Sequence, residues 1–532
     1  MESTANPPVP ESAETSRYRQ ALASLPVTNV PLACDTIERL LRSMQQTPPS
    51  ATEYLALLEA AREPLAFLLD TLASRYAAKP LPAADAEVAA FHRTVTLWRT
   101  MADSYARVAQ LGAGNAQIQA QLALICQRCI HYTGQIIIEY YRARREIIPG
   151  LWLELHGYHD TADEWGLANE RVSEPLGTND TVVTCAATFA SVLLVGLASP
   201  CSRTPRELTW IIRWARLLAP DTHLVRPDEE HGSRGYGVDL MLDRGLLPVD
   251  HLAATDSARL FDTTALGDKV KLLFGRMKAG ETPAVVGLGD DCSAAQASRL
   301  LLQLYRPWCL AAMPRRFERT RAAGILAVAY GMECIYFHIT GNDFSQPEHT
   351  RTYSRMDAEK LWTFRNQMDP TQPLHLRAAE LGYALDTWDI VDQSLNGFRV
   401  VRNAAGPRVE HGQLIAVKPP GMDQFLLGRI SWLILLNKGQ LEAGIHLLPG
   451  PAKGVGIRAT GANASPNEQY ARGFFVPPVT ALKEPISVII PGGWYHTDRV
   501  IEVFTDRPVI ARLGELLARG PNFERCTFSL VS

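Results

Sequence analysis

The chain has few of the features that mark membrane and secreted proteins. It has no run of about 18 uninterrupted apolar residues, the length that a membrane-spanning helix needs. The first residues, Met1 to Ser16, are polar rather than a secretory signal. The nine cysteines are scattered and odd in number, so no disulfide framework is expected, and Cys126 and Cys129 are interpreted as two buried cysteines on a helix. We therefore expect a cytoplasmic protein.

The sequence also has little net charge. Lys and Arg number 53 against 56 Asp and Glu, for a formal charge of -3. Such a balance gives no reason to expect binding to a nucleic-acid polymer, because that binding depends on an excess of cationic side chains. Any site for an anion must then be a local cluster of cations.

A complete catalytic or metal-binding set is lacking as well. The nearest candidate is a cluster of two histidines and three acids, which are His156, His159, Asp160, Asp163 and Glu164. The two imidazoles would share a helix face with a carboxylate and could ligate a metal. A further ligand at matching spacing is missing, so a solvated helix end with capping acids is the favoured interpretation. We predict no enzyme activity and no metal site, and keep a metal enzyme at this cluster as the weakest hypothesis.

What the sequence does have is a change of composition near residue 308. Residues 1–30 are rich in Pro, Glu and Ser and predict a disordered or loosely attached leader. Residues 31–170 carry apolar positions at helical spacing, which predicts an all-α bundle or a short solenoid. Residues 171–307 predict a second, mainly helical unit.

After residue 308, β-type runs separated by Gly, Pro and Asn predict a barrel over residues 308–455. The first of these runs is Ile325 to Ile339. Residues 456–532 are expected to be a β-rich extension, with a helix from Val509 to Leu517. The fold class predicted is therefore a multidomain α+β protein, helical first and β-rich afterwards.

Two polar motifs stand in this β-rich part. Four arginines fall within seven residues where the helical part ends, and these are Arg315, Arg316, Arg319 and Arg321. They form either a solvated basic linker or a phosphate site, because guanidinium groups bind phosphate oxygens in bidentate fashion. The second motif is Asp392-x-Ser394-x-x-Gly397 between two strands. By itself it predicts a hairpin corner, since Asp and Ser favour turns and Gly permits tight ones.

Together these motifs resemble the PilZ domain. The resemblance includes Arg315-x-x-x-Arg319, the strand after it, the Asp392-x-Ser394-x-x-Gly397 turn, and Gly428 to Trp432 with Ala443 to Leu447. That family is a small β-barrel that binds the bacterial second messenger cyclic di-GMP. The resemblance covers roughly residues 315–455. It implies that Arg315, Arg316 and Arg319 hold phosphates and guanine edges, and that Asp392, Ser394 and Gly397 form the turn that contacts guanine.

The sequence departs from the family pattern in the distance between the two motifs. An insertion at about 341–381 separates them, with a helix predicted from Met356 to Gln367. The insertion contains a second Arg-x-x-x-Arg, so Arg351 and Arg355 are the alternative ligand arginines. The first pair is preferred because it directly precedes a β run, as the family pattern requires.

Two functions follow from the resemblance. In the first, the protein is a cyclic di-GMP receptor that transmits binding to a helical protein-interaction region and an unidentified protein partner, with no other cofactor. In the second, the barrel does not bind nucleotide and serves as a scaffold through protein–protein contacts alone. Titration with cyclic di-GMP distinguishes them.

Overall fold

A computed structural model describes residues 13–176, 181–227, 235–310, 318–346, 374–460 and 468–531. The chain divides into two compact units. The first comprises Met1–Lys79 and Ala83–Pro314, and the second comprises Pro80–Pro82 and Arg315–Ser532. Among the helices that the structure describes, none combines the length and the apolar character needed to span a bilayer.

The first unit is helical, and side-chain caps mark where several of its helices begin. Ser50, Thr204 and Ser293 each accept a hydrogen bond from a backbone N–H three residues on, inside a capping box. The described helices are α1 (Ala13–Ala23), α2 (Val30–Gln46), α3 (Ala51–Ala73), α4 (Asp85–Leu111), α5 (Ala116–Gln119), α6 (Leu122–Arg142), α7 (Leu151–Glu164), α8 (Cys185–Leu197), α9 (Pro205–Leu218), α10 (Thr264–Lys278) and α11 (Ala294–Cys309).

Two small antiparallel sheets accompany these helices. Strands β1 (Val172–Glu174) and β2 (Thr181–Val183) form one of them. The other has the order β3-β6-β4-β5, from His223–Val225, Ala258–Asp262, Tyr236–Asp239 and Leu247–Pro248. One hydrophobic core runs from Leu22 to Trp308 through the whole unit. The boundary predicted at residue 170 stays a prediction, although residues on both sides of it share this core.

Within residues 1–30, which were expected to be a disordered or loosely attached leader, residues 13–23 form helix α1 rather than a disordered segment. Helix α1 packs on the core through Leu22, which is buried, and through the half-buried Tyr18 and Ala21. The Tyr18 hydroxyl also lies 2.9 Å from the hydroxyl of Ser43 on α2. The polar composition of this segment did not predict a helix. Packing on the core stabilises α1, because the burial of a few side chains outweighs the weak helix propensity of the segment.

The second unit begins with a closed antiparallel barrel of six strands. Its order is β10-β13-β12-β11-β8-β9, and β9 closes on β10. The short strand β7 (Thr320–Arg321) continues β8 alongside β9. The six strands are β8 (Ile325–Tyr330), β9 (Asp386–Ser394), β10 (Gly397–Arg402), β11 (Leu414–Lys418), β12 (Leu426–Leu435) and β13 (Leu441–Leu447).

The β run expected from Ile325 to Ile339 is correct only in its first half. The strand ends at Tyr330, and Gly331 at φ +79° turns the chain into helix α12 (Met332–Thr340). Cys334, Ile335 and Phe337 of α12 are buried, and Ile335 belongs to a core cluster shared with both barrels. Of the predicted insertion, the structure describes residues 341–346 and helix α13 (Leu374–Glu380). The predicted helix from Met356 to Gln367 lies outside the described residues.

A second closed antiparallel barrel follows, with the order β14-β15-β16-β19-β18-β17. Its core includes Val455, Ile457, Val488 and Ile501. The predicted fold class, a helical region followed by a barrel and a β-rich extension, is confirmed, and the extension is itself a barrel. Its strands are β14 (Lys453–Ala459), β15 (Ala471–Val476), β16 (Ser487–Pro491), β17 (Val500–Phe504), β18 (Pro508–Arg519) and β19 (Phe523–Leu530).

The helix expected from Val509 to Leu517 is wrong, because this segment lies within β18. Ala511 and Leu513 are buried and point into the barrel with the two-residue period of a strand. The segment is rich in Leu, Ala, Glu and Arg, which favour helices. Pairing with both β17 and β19 overrides that local preference.

Candidate functional site

The Asp392-x-Ser394-x-x-Gly397 motif forms the hairpin between β9 and β10. Leu395 and Asn396 make the two-residue turn, and Ser394 pairs with Gly397 across it. The Ser394 hydroxyl donates to the Asn396 side-chain oxygen at 2.9 Å. A Cβ atom on Gly397 would lie 2.0 Å from the carbonyl oxygen of Ile445 on β13, so this close approach of backbones requires glycine. The predicted hairpin corner is confirmed.

A β-bulge at Val391 decides where Asp392 points. Val400 pairs with Ile390, but the next pair joins Arg399 to Asp392, so Val391 is the extra residue. Ile390 and Val400 are buried in the barrel. Because side chains alternate between faces, the inserted residue moves Asp392 to the outer face beside Arg399. Without the bulge, this carboxylate would point toward the core.

The structure places Arg319 against this carboxylate. Strand β7 pairs with β9 so that Arg321 lies opposite Asp392. From the residue before β7, the Nη1 of Arg319 donates to Oδ1 of Asp392 at 2.8 Å. Two motifs that are 73 positions apart in the sequence therefore meet.

The other predicted arginines cannot be placed in the same way. Arg315 and Arg316, from the preferred set, and Arg351 and Arg355, from the alternative pair, lie outside the described residues. Their assignment to a ligand stays a prediction, and so do the predicted ligand contacts of Arg319 and the hairpin.

Two further charged side chains extend the site along the barrel surface. Nη1 of Arg399 lies 3.9 Å from Oδ2 of Asp392. Nε of Arg399 donates a hydrogen bond to Oε1 of Glu442 on β13. Arg319, Asp392, Arg399 and Glu442 thus alternate in sign and sum to zero charge. Sequence analysis missed Arg399 and Glu442. The only local signal is that Arg399 stands between two buried residues of a strand and must therefore face outward.

Cross-strand pairing connects Asp392 and Arg399 with an aromatic side chain two strands further along the barrel. Arg399 pairs with Gly444, and Gly444 pairs with Trp432 on β12. A Cβ atom on Gly444 would lie 1.9 Å from Nε1 of the indole, so Trp432 covers the glycine. The outer face therefore presents, in register, guanidinium groups that can bind phosphate, a carboxylate that can accept N–H groups, and a flat ring.

The histidine cluster differs from its predicted environment. His156 and His159 are buried in α7, where burial lowers the pKa of each imidazole to about 4. His159 stacks on Phe189, with ring centroids 4.2 Å apart. The solvated helix end is wrong for these two residues because they fall on the apolar face of α7, whereas Asp163 and Glu164 are exposed as expected. Within the ranges that the structure describes, no group of three His, Cys, Asp or Glu side chains could hold a metal ion.

The two cysteines of the Cys126-x-x-Cys129 pattern are buried on α6, as predicted. Both are free thiols. Burial raises the pKa of the Cys126 thiol to about 11 and that of Cys129 well above its ordinary value. A thiol in this environment is neutral and unreactive at pH 7, because the thiolate is the reactive form.

Comparison with known proteins identifies similarity at both ends of the chain. Residues 16–228 match the family described as "Cyclic-di-GMP receptor FimW, N-terminal domain", and residues 455–531 match "FimW C-terminal beta-barrel domain". A similar protein is the cyclic-di-GMP receptor FimW of Pseudomonas aeruginosa. It is 23% identical over 431 residues, which span 72% of this chain and 68% of the relative. The first barrel lies between the two matched stretches.

Proposed function

We propose that this chain, which carries the N-terminal domain and the C-terminal β-barrel domain of the FimW family, is a cyclic di-GMP receptor. A relative that is 23% identical over 431 residues bears the description "Cyclic-di-GMP receptor FimW". We further propose that the first barrel is PilZ-like and contains the ligand site. No reaction is assigned to this site, and a receptor that binds without catalysis fits the residues present.

The observation that supports this site best is the contact between Arg319 and Asp392. The ligand has two phosphates and two guanines, so its site needs guanidinium groups and a carboxylate close together. Arg319 supplies the fork that binds a phosphate or the O6 and N7 of guanine. Asp392 supplies an acceptor for the guanine N–H groups. Nη1 of Arg319 and Oδ1 of Asp392 lie 2.8 Å apart on the outer face of the barrel.

The remaining predicted residues complete this proposal. Arg315 and Arg316 precede Arg319 and would add cationic groups for the second phosphate. Ser394 presents its hydroxyl at the hairpin turn, where it already contacts the Asn396 side chain. Gly397 keeps the turn close to β13, which leaves room for the ligand above it.

We propose that the output passes through the link between the two units. The main segment of the second unit starts at Arg315, so in the sequence the arginine motif stands where the chain passes into that segment. A ligand that engages this motif would favour one arrangement of the link over others. The helical unit would then bind an unidentified protein partner differently in the two states.

Isothermal titration of the full chain with cyclic di-GMP tests the proposal. We expect binding that Arg319→Ala and Asp392→Ala each weaken by roughly tenfold or more, since each removes a charge-assisted hydrogen bond of about 1.5–3 kcal/mol. Arg458→Ala is the matched control. Arg458 is a half-buried arginine on the second barrel, paired with Glu502 at 2.9 Å, and its loss should leave binding unchanged.

The scaffold function remains the second candidate, and one observation favours it. Arg319 and Asp392 are hydrogen-bonded to each other, so each has a partner within the protein itself. A folded wild-type protein that gives no heat with cyclic di-GMP, and yet forms a stable complex with a protein partner, would replace the receptor proposal by this one.

A further inference from the structure

Arg399 is a cationic residue of the site that lies outside both sequence motifs. It stands on β10, two residues after Gly397, and is the cross-strand partner of Asp392. Its side chain is 43% exposed, whereas the side chain of Asp392 is 17% exposed. The closest ion-pair atoms of the two side chains are 3.9 Å apart. This distance is too long for a hydrogen bond but within reach of a strong ionic interaction.

Glu442 fixes the orientation of Arg399. Its carboxylate is 11% exposed and accepts a hydrogen bond from Nε of Arg399. Within the described ranges, Arg399 is its only ion-pair partner. A buried carboxylate needs such a partner, so the Nε edge of the guanidinium is held at Glu442. The Nη end is thereby directed at Asp392.

Ligand binding would change the partners of Asp392. In the structure, its Oδ1 accepts the 2.8 Å hydrogen bond from Arg319. A phosphate bound by Arg319 competes for the same guanidinium donors. The ion-pair partner that remains to Asp392 among the described residues is then Arg399.

We infer that Arg399, anchored by Glu442, is a positioning residue that holds Asp392 in place to accept from the guanine edge while Arg319 binds phosphate. This inference rests on the proposed function. It assigns base specificity to a pair of residues on β10 and β13 that need not touch the ligand. Arg399 acts here through Asp392, in the way that a supporting shell of residues fixes a ligand-binding side chain.

The test compares two dinucleotides on the full chain. Cyclic di-IMP carries hypoxanthine bases, which lack the 2-amino group of guanine and therefore one donor to Asp392. Wild type should prefer cyclic di-GMP by about tenfold, the value of one hydrogen bond to a charged group. Arg399→Gln should bind cyclic di-GMP about tenfold more weakly and lose most of that preference. Arg399→Lys should recover part of both, because it restores the charge without the fork.

Two further variants keep the test decisive. The double variant Arg399→Gln with Glu442→Gln leaves no buried carboxylate unpaired, so it measures the positioning effect even if the single variant unfolds. Arg458→Gln is the control, because Arg458 also pairs across strands with a nearly buried glutamate, Glu502, in the second barrel. It should change neither affinity by more than about twofold, since distant sites act independently.

The possible outcomes separate the two proposals. If wild type binds cyclic di-GMP but the Arg399 variants weaken both dinucleotides equally, the positioning role is wrong. Unchanged affinities in those variants overturn it as well. If wild type binds neither dinucleotide, the receptor function fails, and this inference fails with it.

Discussion

Gly397→Ala should be the most damaging single-methyl substitution at the hairpin. The added Cβ would lie 2.0 Å from the carbonyl oxygen of Ile445 and 3.1 Å from its carbonyl carbon. Both are backbone atoms of β13, so no side-chain rotation relieves the clash. The strands β10 and β13 must separate, and such overpacking costs about 1–3 kcal/mol.

Hydrogen exchange is the suitable measurement for this variant. The chain has two compact units that need not unfold together, so a single melting temperature would mix their contributions. Amides of β10 and β13 report the opening of the barrel locally. A cost of about 1–3 kcal/mol corresponds to exchange that is roughly 5- to 150-fold faster. We also expect weaker binding of cyclic di-GMP, because Arg399 moves with β10.

Gly157→Ala is the control for the loss of glycine itself. Gly157 lies within α7, and a Cβ there would meet no atom within 4 Å. The substitution should stabilise the helical unit by about 0.5–1 kcal/mol, because alanine has less conformational freedom to lose. Unchanged exchange in β10 and β13 of Gly397→Ala would refute the steric explanation, since it would mean that the backbone of Ile445 yields without cost.

Two further predictions concern the helical unit. Glu174→Gln should destabilise it by about 3–5 kcal/mol, measured by hydrogen exchange of the α3 amides, because Glu174 binds the buried Arg62 through both oxygens at 2.7 Å. Asp268→Asn, which breaks an exposed pair with Lys271, should have a much smaller effect. The unit should also lose stability as the pH falls from 6.5 to about 4, because His156 and His159 have folded pKa values near 4 and an ordinary value of 6.5. As the pH falls, the unfolded chain binds protons before the folded chain does. Each histidine therefore contributes stability that is fully present above pH 6.5 and amounts to up to about 3 kcal/mol. A pH dependence of unfolding that is identical in His159→Gln would contradict this.

Local patterns in the sequence predicted the elements that depend on local interactions. The helical region, the change to β structure after residue 308 and the hairpin corner at Asp392 to Gly397 all follow from spacing and turn chemistry. The failures are segments whose state is set by distant partners. Helix α1 is ordered by packing on the core of the unit, and β18 is a strand because two neighbouring strands pair with it. Composition does not contain that information.

In the site, too, the residues set by local turn chemistry could be predicted and those set by strand pairing could not. The bulge at Val391 shows why. A strict alternation along β9 would put Asp392 on the face of the buried Trp388 and Ile390, where no ligand could reach it. The pairing with β10 inserts one residue and turns the carboxylate outward, toward Arg319 and Arg399. The motif residues were visible because turns restrict residue types. Arg399 and Glu442 were not, because only the register of three strands brings them together. Deletion of Val391 tests this explanation of the register. With the extra residue removed, Asp392 directly follows the inward-facing Ile390 and should still face outward opposite Arg399, so ligand binding should be retained.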